Sequence, residues 1–331
     1  MAEPGLNEIQ TTTLRNRTRV LKDNVSNNNA AFAKGKEYGM FDSRDGGYFW
    51  LEEMAFDEND SFIWFEGAER LDPNYNPTMT SAQFTPRQSA VSVVITGREQ
   101  LFNSGEDQSL KLLGKRIEIA EWTTMNKLNA SFYGDGTGSG GKEPGGLALL
   151  VAQNPSTGTV GGIDRSSSAG AFYRNYSLGV VATFGAALNV SNAKQVFNRV
   201  VINTTRQGED MKSRLGLLGN TYFEIVMNTA QAIQRIQDTK LASVGYENIM
   251  FCGIPFCLGG GVNFGGETLI GDTQGYVLNA KYVKFCHHKD CFMDPLEERF
   301  SVNQDASVKY IASMLQFTLS NAKLQANVYD S

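Results

Sequence analysis

The chain has 331 residues, 41% of them apolar, enough to bury a sizeable core, and its 30 basic against 35 acidic residues give a net charge of −5. That balance excludes a polybasic nucleic-acid binder, because neutralising phosphates needs a clear Lys/Arg excess. No run of about 18 apolar residues is present to span a membrane as a helix, and the opening MAEPGLNEIQTTT has no basic-then-apolar secretion signal.

Charged residues make up only 20% of the chain while glycine reaches 34 residues, so the surface leans on Asn, Thr, Ser and Gln or is covered by something else. The first segment, residues 1–36, carries Arg15, Arg17, Arg19, Lys22, Lys34 and Lys36 against three acids. Its apolar residues are too sparse for an independent core, which predicts an arm that orders against a partner. Leu14, Val20, Leu21, Val25 and Phe32 are its apolar anchors.

From Glu52 to Glu69 the charge reverses, with seven acids and no Lys or Arg. Inside this stretch Ser61-Phe-Ile-Trp-Phe-Glu66 has the aromatic, half-alternating pattern of a strand. The turn-rich Asp72-Pro-Asn-Tyr-Asn-Pro77 follows, and Ala90–Thr96 reads as the return strand of a hairpin. An isolated hairpin is marginal in water and needs something to lie on. Opposite charges on arm and hairpin suit contact between copies.

Ser104-Gly-Glu-Asp107 is a capping-box-like helix start. Leu110, Leu113, Ile117, Ala120, Leu128 and Phe132 then keep helical spacing on one face, and Leu112, Ile119, Trp122 and Met125 populate a second. The spacing predicts a helix of roughly 25 residues, about 37 Å long, buried on two sides, and stopped by Gly134-Asp-Gly-Thr-Gly138. A compact α/β section begins near Ser191. It has a helix carrying Val196, Phe197, Val200 and Val201, a buried strand over 214–219, a capped helix from Thr221, strands around Ile249–Cys252 and Ile254–Leu258, and finally an extended strand over Val308–Leu319.

Gly136-Thr-Gly-Ser-Gly-Gly-Lys142 matches much of a phosphate-binding loop, yet it follows a helix rather than a strand, and Glu143 stands where Ser or Thr would hold magnesium. A mobile loop is the better reading. Cys252, Cys257, Cys286 and Cys291, with His287 and His288, contain enough soft ligands for zinc, but both cysteine pairs are spaced at the permissive limit. Buried cysteines acting as small hydrophobes, beside exposed histidines, fit as well. With two adjacent histidines and no G-x-S-x-G or H-E-x-x-H, no catalytic residue, cofactor or metal site is assigned.

The order of basic arm, acidic aromatic hairpin, long helix ending in Gly-Asp-Gly-Thr-Gly, Gly161-Gly-Ile-Asp-Arg-Ser166, α/β section and return strand resembles a major capsid protein of a tailed double-stranded DNA bacteriophage. The resemblance covers nearly the whole chain. Its most specific segments are Ser131–Gly138, Gly161–Ser166 and Phe172-Tyr-Arg-Asn175.

The resemblance implies an α+β capsid fold with five parts. These are an N-terminal arm (1–45), an extended β-hairpin loop (46–103), a peripheral domain with the spine helix (104–177), an axial α/β domain (178–285) and return strands to the peripheral domain (286–331). It implies pentamers and hexamers of an icosahedral shell around phage DNA, which is contacted weakly and without sequence specificity. The expected partners are a separate scaffolding protein, a portal and a decoration or cement protein, with assembly in the host cytoplasm and a final place in the virion. Arg15, Arg17, Arg19, Phe62, Trp64, Tyr75 and Phe84 are the expected inter-subunit contacts. Some members of the family lock their shells through a lysine on the extended loop, whereas this chain has no lysine between Lys36 and Lys111. An encapsulin-like nanocompartment shell of the same fold is the alternative.

Overall fold

The computed structural model describes residues 30–70, 76–102, 106–206, 213–231, 248–251, 253–259, 269–295, 299–300 and 305–331. Arg15, Arg17, Arg19, Tyr75, Cys252 and the Ser104 cap lie outside them.

Two sheets organise the chain. The first is built on the long strand Ala306–Leu319, which pairs antiparallel with Val283–Pro295, with the short strand Arg299–Phe300, and, on its other side, with Arg87–Thr96; Phe41–Arg44 adds to Val283–Pro295 in parallel. The second has six strands in the order Tyr176–Gly179, Ala326–Tyr329, Gln274–Asn279, Arg214–Leu218, Ile254–Leu258 and Asn248–Phe251. Apolar runs make these last strands buried on both faces, and their period of two divides the burial cleanly. Leu218, Phe256 and Val277 face the helices Ala193–Asn203 and Asn220–Gln231. Leu215, Leu217, Cys257, Tyr276 and Leu278 face the core shared with the first sheet.

The spine helix runs from Glu106 to Tyr133, 28 residues and about 42 Å. One face is buried as its spacing predicts, through Ile117, Ala120, Thr124, Leu128 and Phe132. The second stripe is not buried within the subunit: Ile119 and Trp122 are exposed and Met125 is partly covered. The helix ends where Gly136, at φ +80°, turns the chain so closely that an added Cβ would stand 2.9 Å from the Cα of Gly145.

Four further expectations need correction. Phe32, read as an anchor for a neighbour, sits in its own subunit. The helix Ala30–Glu37 buries Ala31 and Phe32, and the Phe32 ring lies 5.5–5.8 Å from Phe41, Phe132 and Phe285, which ties the segment to both sheet and spine. The hairpin arms are Trp50–Ala55 and Met79–Phe84, in register from Trp50↔Phe84 to Ala55↔Met79. Ser61–Glu66 is not a strand, and Ala90–Thr96 belongs to the first sheet. The last strand, Ala326–Tyr329, returns to the six-stranded sheet rather than the first. His287 is half-buried and stacks on Phe292 at 4.6 Å, not exposed.

Candidate assembly interface

The hairpin is held firmly at its root. Arg44, on the edge strand of the first sheet, forms an ion pair with Glu52 and donates to the Leu51 carbonyl at 3.0 Å. Thr318 donates to the same Glu52 carboxylate at 2.8 Å, and Gln316 donates to the Thr85 carbonyl at 2.7 Å, so both hairpin arms are tied to the long strand. Burial lowers the pKa of the Arg44 guanidinium, but Cys286, Glu52 and Asp42 around it outweigh that and leave it above its ordinary value. The cation therefore stays charged and the latch closed across the neutral range.

Beyond the root, the tip stands in water. Trp64 is 90% exposed and Phe62 72%, their rings T-shaped at 5.3 Å. Tyr48, Phe49, Leu51, Ile63, Phe65 and Met79 are exposed on the same extension, and Asp57, Glu58, Asp60, Glu66 and Glu69 are exposed between them. Scattered apolar residues on a surface are ordinary, but a concentration of aromatics on one protruding element marks a surface meant to be covered. Of the expected contact residues, Phe62 and Trp64 lie on this tip. Phe84 does not: it is 6% exposed, opposite Trp50 and beside Gly161, and belongs to the subunit core. Sequence reading did not single out Tyr48 and Phe49, and expected Ile119 and Trp122 to be buried, whereas all four are exposed. The Gly46-Gly47 turn before an aromatic pair, and the two-stripe helix, carry the signal for them.

Two of the segments that carried the family resemblance, Gly161–Ser166 and Phe172–Asn175, meet at one junction. Arg165 is fully buried, donates to the Leu150 carbonyl at 2.7 Å and the Leu149 carbonyl at 3.3 Å, and lies over the Tyr173 ring. Burial pulls its pKa down to about 10, so the cation persists at neutral pH. Tyr173 donates to the Leu319 carbonyl, Arg174 to the carbonyls of Arg165, Ser166 and Ser167, and Asn175 to Ala152. Gln83 on the hairpin donates to Gly161 at 2.9 Å. Hairpin and long strand are thereby tied to this junction through hydrogen bonds to backbone carbonyls.

The described cysteines form no disulfide and no metal cluster. Cys257 and Cys286 are buried, the latter against Thr318 Oγ1 at 3.4 Å, and burial pushes the Cys286 thiol up to about 11, away from the thiolate that metal binding or nucleophilic attack requires. Among the described residues no group of three His, Cys, Asp or Glu is placed to hold a metal, and no helix is long and apolar enough to cross a membrane. The Gly136–Lys142 stretch forms a single kinked turn after a helix, not the strand-loop-helix of a phosphate site.

No family profile and no curated protein matches the sequence. Solved structures do match. The cyanophage A-1(L) capsid subunit is 15% identical at a TM-score of 0.62, over 90% of this chain and 92% of that one. The capsid of a native GTA particle is 12% identical at 0.56, over 90% of each chain. The SrpI encapsulin of Synechococcus elongatus is 8% identical at 0.52, over 87% of this chain and 84% of that one. The agreement spans about nine-tenths of the chain rather than one motif, and the chain therefore has the α+β fold of the phage capsid subunits.

Proposed function

We propose that this chain is the major capsid protein of a tailed phage, assembling with copies of itself into the pentamers and hexamers of an icosahedral shell around double-stranded DNA. The observation that carries this reading is a hairpin latched at its root, whose aromatic tip stands exposed, with no described residue covering Phe62 or Trp64. A neighbouring copy supplies the cover. The six-stranded sheet and its helices form the axial part, the first sheet and spine helix the peripheral part, and the N-terminal arm reaches over a neighbour, as the resemblance implies. With no lysine from 37 to 110, the hairpin cannot supply a covalent lock, so the shell is held by burial, charge pairing or a separate cement protein. A scaffolding protein and a portal complete the set of partners, with assembly in the host cytoplasm. A net charge of −5 suits a container whose lining should not grip its DNA.

The likeness to an encapsulin keeps a protein-filled nanocompartment as the second reading. Sedimentation of the purified chain over a concentration series tests the first. Closed particles that co-purify with a portal or nucleic acid support it. Particles filled only with a protein cargo favour the second reading, and a monomer of 36.3 kDa at every concentration overturns both.

A further inference from the structure

Strand Arg87–Thr96 pairs on one side with Ala306–Leu319 and with no described strand on the other, where the spine helix runs beside it. Arg116 on the helix bridges that open side, donating to the Val94 carbonyl at 2.6 Å and pairing with Glu99. About two helical turns on, a groove of about 360 Å³ opens between helix and strand, a volume within the range of small-molecule pockets. Small side chains on both walls make room for it: Thr124 and Ser131, seven apart on one helix face, and Ser89 and Ala90 on the strand. Thr124 and Ser131 donate to the Ala120 and Lys127 carbonyls, both at 2.8 Å, so neither hydroxyl proton is left for a ligand. Leu128, Ile311 and Leu315, each no more than 6% exposed, form an apolar floor.

The mouth of the groove is basic. Arg87 comes from the strand, Lys127 from the helix and Lys142 from the glycine loop, which Ser139 and Gly140, at φ +53° and +70°, bend into part of the wall. Glu143 also lines the groove and accepts from Ser139 Oγ at 2.9 Å, so three cations stand against one acid already engaged within its loop. Backbone groups alternate in direction along a strand, which puts the N–H and C=O of Gln88 and Ala90 on the same edge as the Val94 carbonyl. Edge N–H groups under a cationic mouth favour an anion, and the floor favours hydrocarbon. Inorganic phosphate, which the glycine motif resembles a site for, would leave the floor wet. We propose that the groove binds a medium-chain alkyl carboxylate, its chain on Leu128, Ile311 and Leu315 and its carboxylate between Arg87 and Lys142. The groove lies within one copy, so this site goes beyond the shell reading and does not depend on it.

Octanoate, titrated calorimetrically into the purified full-length chain below its micelle concentration, is the probe. The expected result is saturable one-to-one binding, with octanol and inorganic phosphate each at least about tenfold weaker. Ala90→Trp fills the groove from an exposed strand position and should abolish octanoate binding. Arg87→Glu with Lys142→Glu should weaken octanoate by roughly tenfold or more while leaving octanol unchanged. An unchanged melting temperature shows that a variant folds, and the charge reversal at the mouth carries the test alone if Ala90→Trp does not. No saturable octanoate binding at millimolar concentration overturns the assignment. Octanol or phosphate binding as tightly as octanoate, or octanoate binding that the folded variants leave unweakened, overturns it too. None of these results bears on whether the chain builds a shell.

Discussion

Trp64→Ser and Phe84→Ser are expected to separate shell formation from subunit folding. Both residues lie on the hairpin segment, yet Trp64 is 90% exposed and Phe84 only 6%. Removing the Phe84 ring leaves a cavity beside Trp50 and Gly161, at a cost of about 3–5 kcal/mol, a large part of the roughly 5–15 kcal/mol that holds an ordinary domain folded. Removing the Trp64 ring empties nothing, and the subunit should change by less than about 0.5 kcal/mol. Against a neighbour the same ring would bury roughly 200 Å², about 5 kcal/mol at 25 cal/mol per Å² before ordering costs, so a loss of at least about 2 kcal/mol per contact is expected. That is roughly a 30-fold loss in each contact's equilibrium constant, repeated at every copy. Light scattering against concentration reads the assembly, and thermal melting under dissociating conditions reads the subunit. Trp64→Ser that assembles like wild type, or melts as low as Phe84→Ser, would refute the reasoning.

Deleting residues 1–28 should leave the subunit melting temperature unchanged while altering assembly; extending the deletion to residue 36 removes the buried Phe32 and should cost about 3–5 kcal/mol, seen as a lowered melting temperature. Glu99, held at about 2 by its hydrogen bonds from Arg116 and Thr96, has a folded pKa below its ordinary 4.5. Its stabilisation is therefore present above pH 4.5 and lost as pH falls toward 2, and Glu99→Gln should flatten the difference in melting temperature between pH 5 and pH 3. Gly146→Ala would place a methyl 2.2 Å from the Ser131 carbonyl oxygen at the end of the spine helix. It should cost more than about 2 kcal/mol, whereas Gly140→Ala, in open space at φ +70°, should cost only about 1 kcal/mol by denaturant unfolding.

The elements with strong local grammar were legible in the sequence. The spine helix follows from its stripe and its glycine stop, and the six-stranded sheet from short apolar runs bounded by turns. Strand partners were not, because pairing is a tertiary property. Ala90–Thr96 reads as a strand and is one, but its partner, Ala306–Ala312, lies more than 200 residues away along the chain. Ser61–Glu66 has the aromatic alternation of a strand because an exposed aromatic tip and a half-buried strand carry the same side chains. The true arms, WLEEMA and MTSAQF, are too mixed to stand out. The exposed aromatic surface was half legible. Phe62 and Trp64 announce themselves in an acidic stretch, while Phe84 could be assigned to core or surface only once Trp50 and Gly161 were placed beside it.

Electron microscopy of the purified full-length protein, imaged at a concentration where scattering first rises, tests the central claim most directly. Closed, hollow particles with five-fold and six-fold clusters of the six-stranded lobe, and hairpins crossing between copies, are the expected result. A population of separate 36.3 kDa subunits with Phe62 and Trp64 uncovered at every concentration would contradict it.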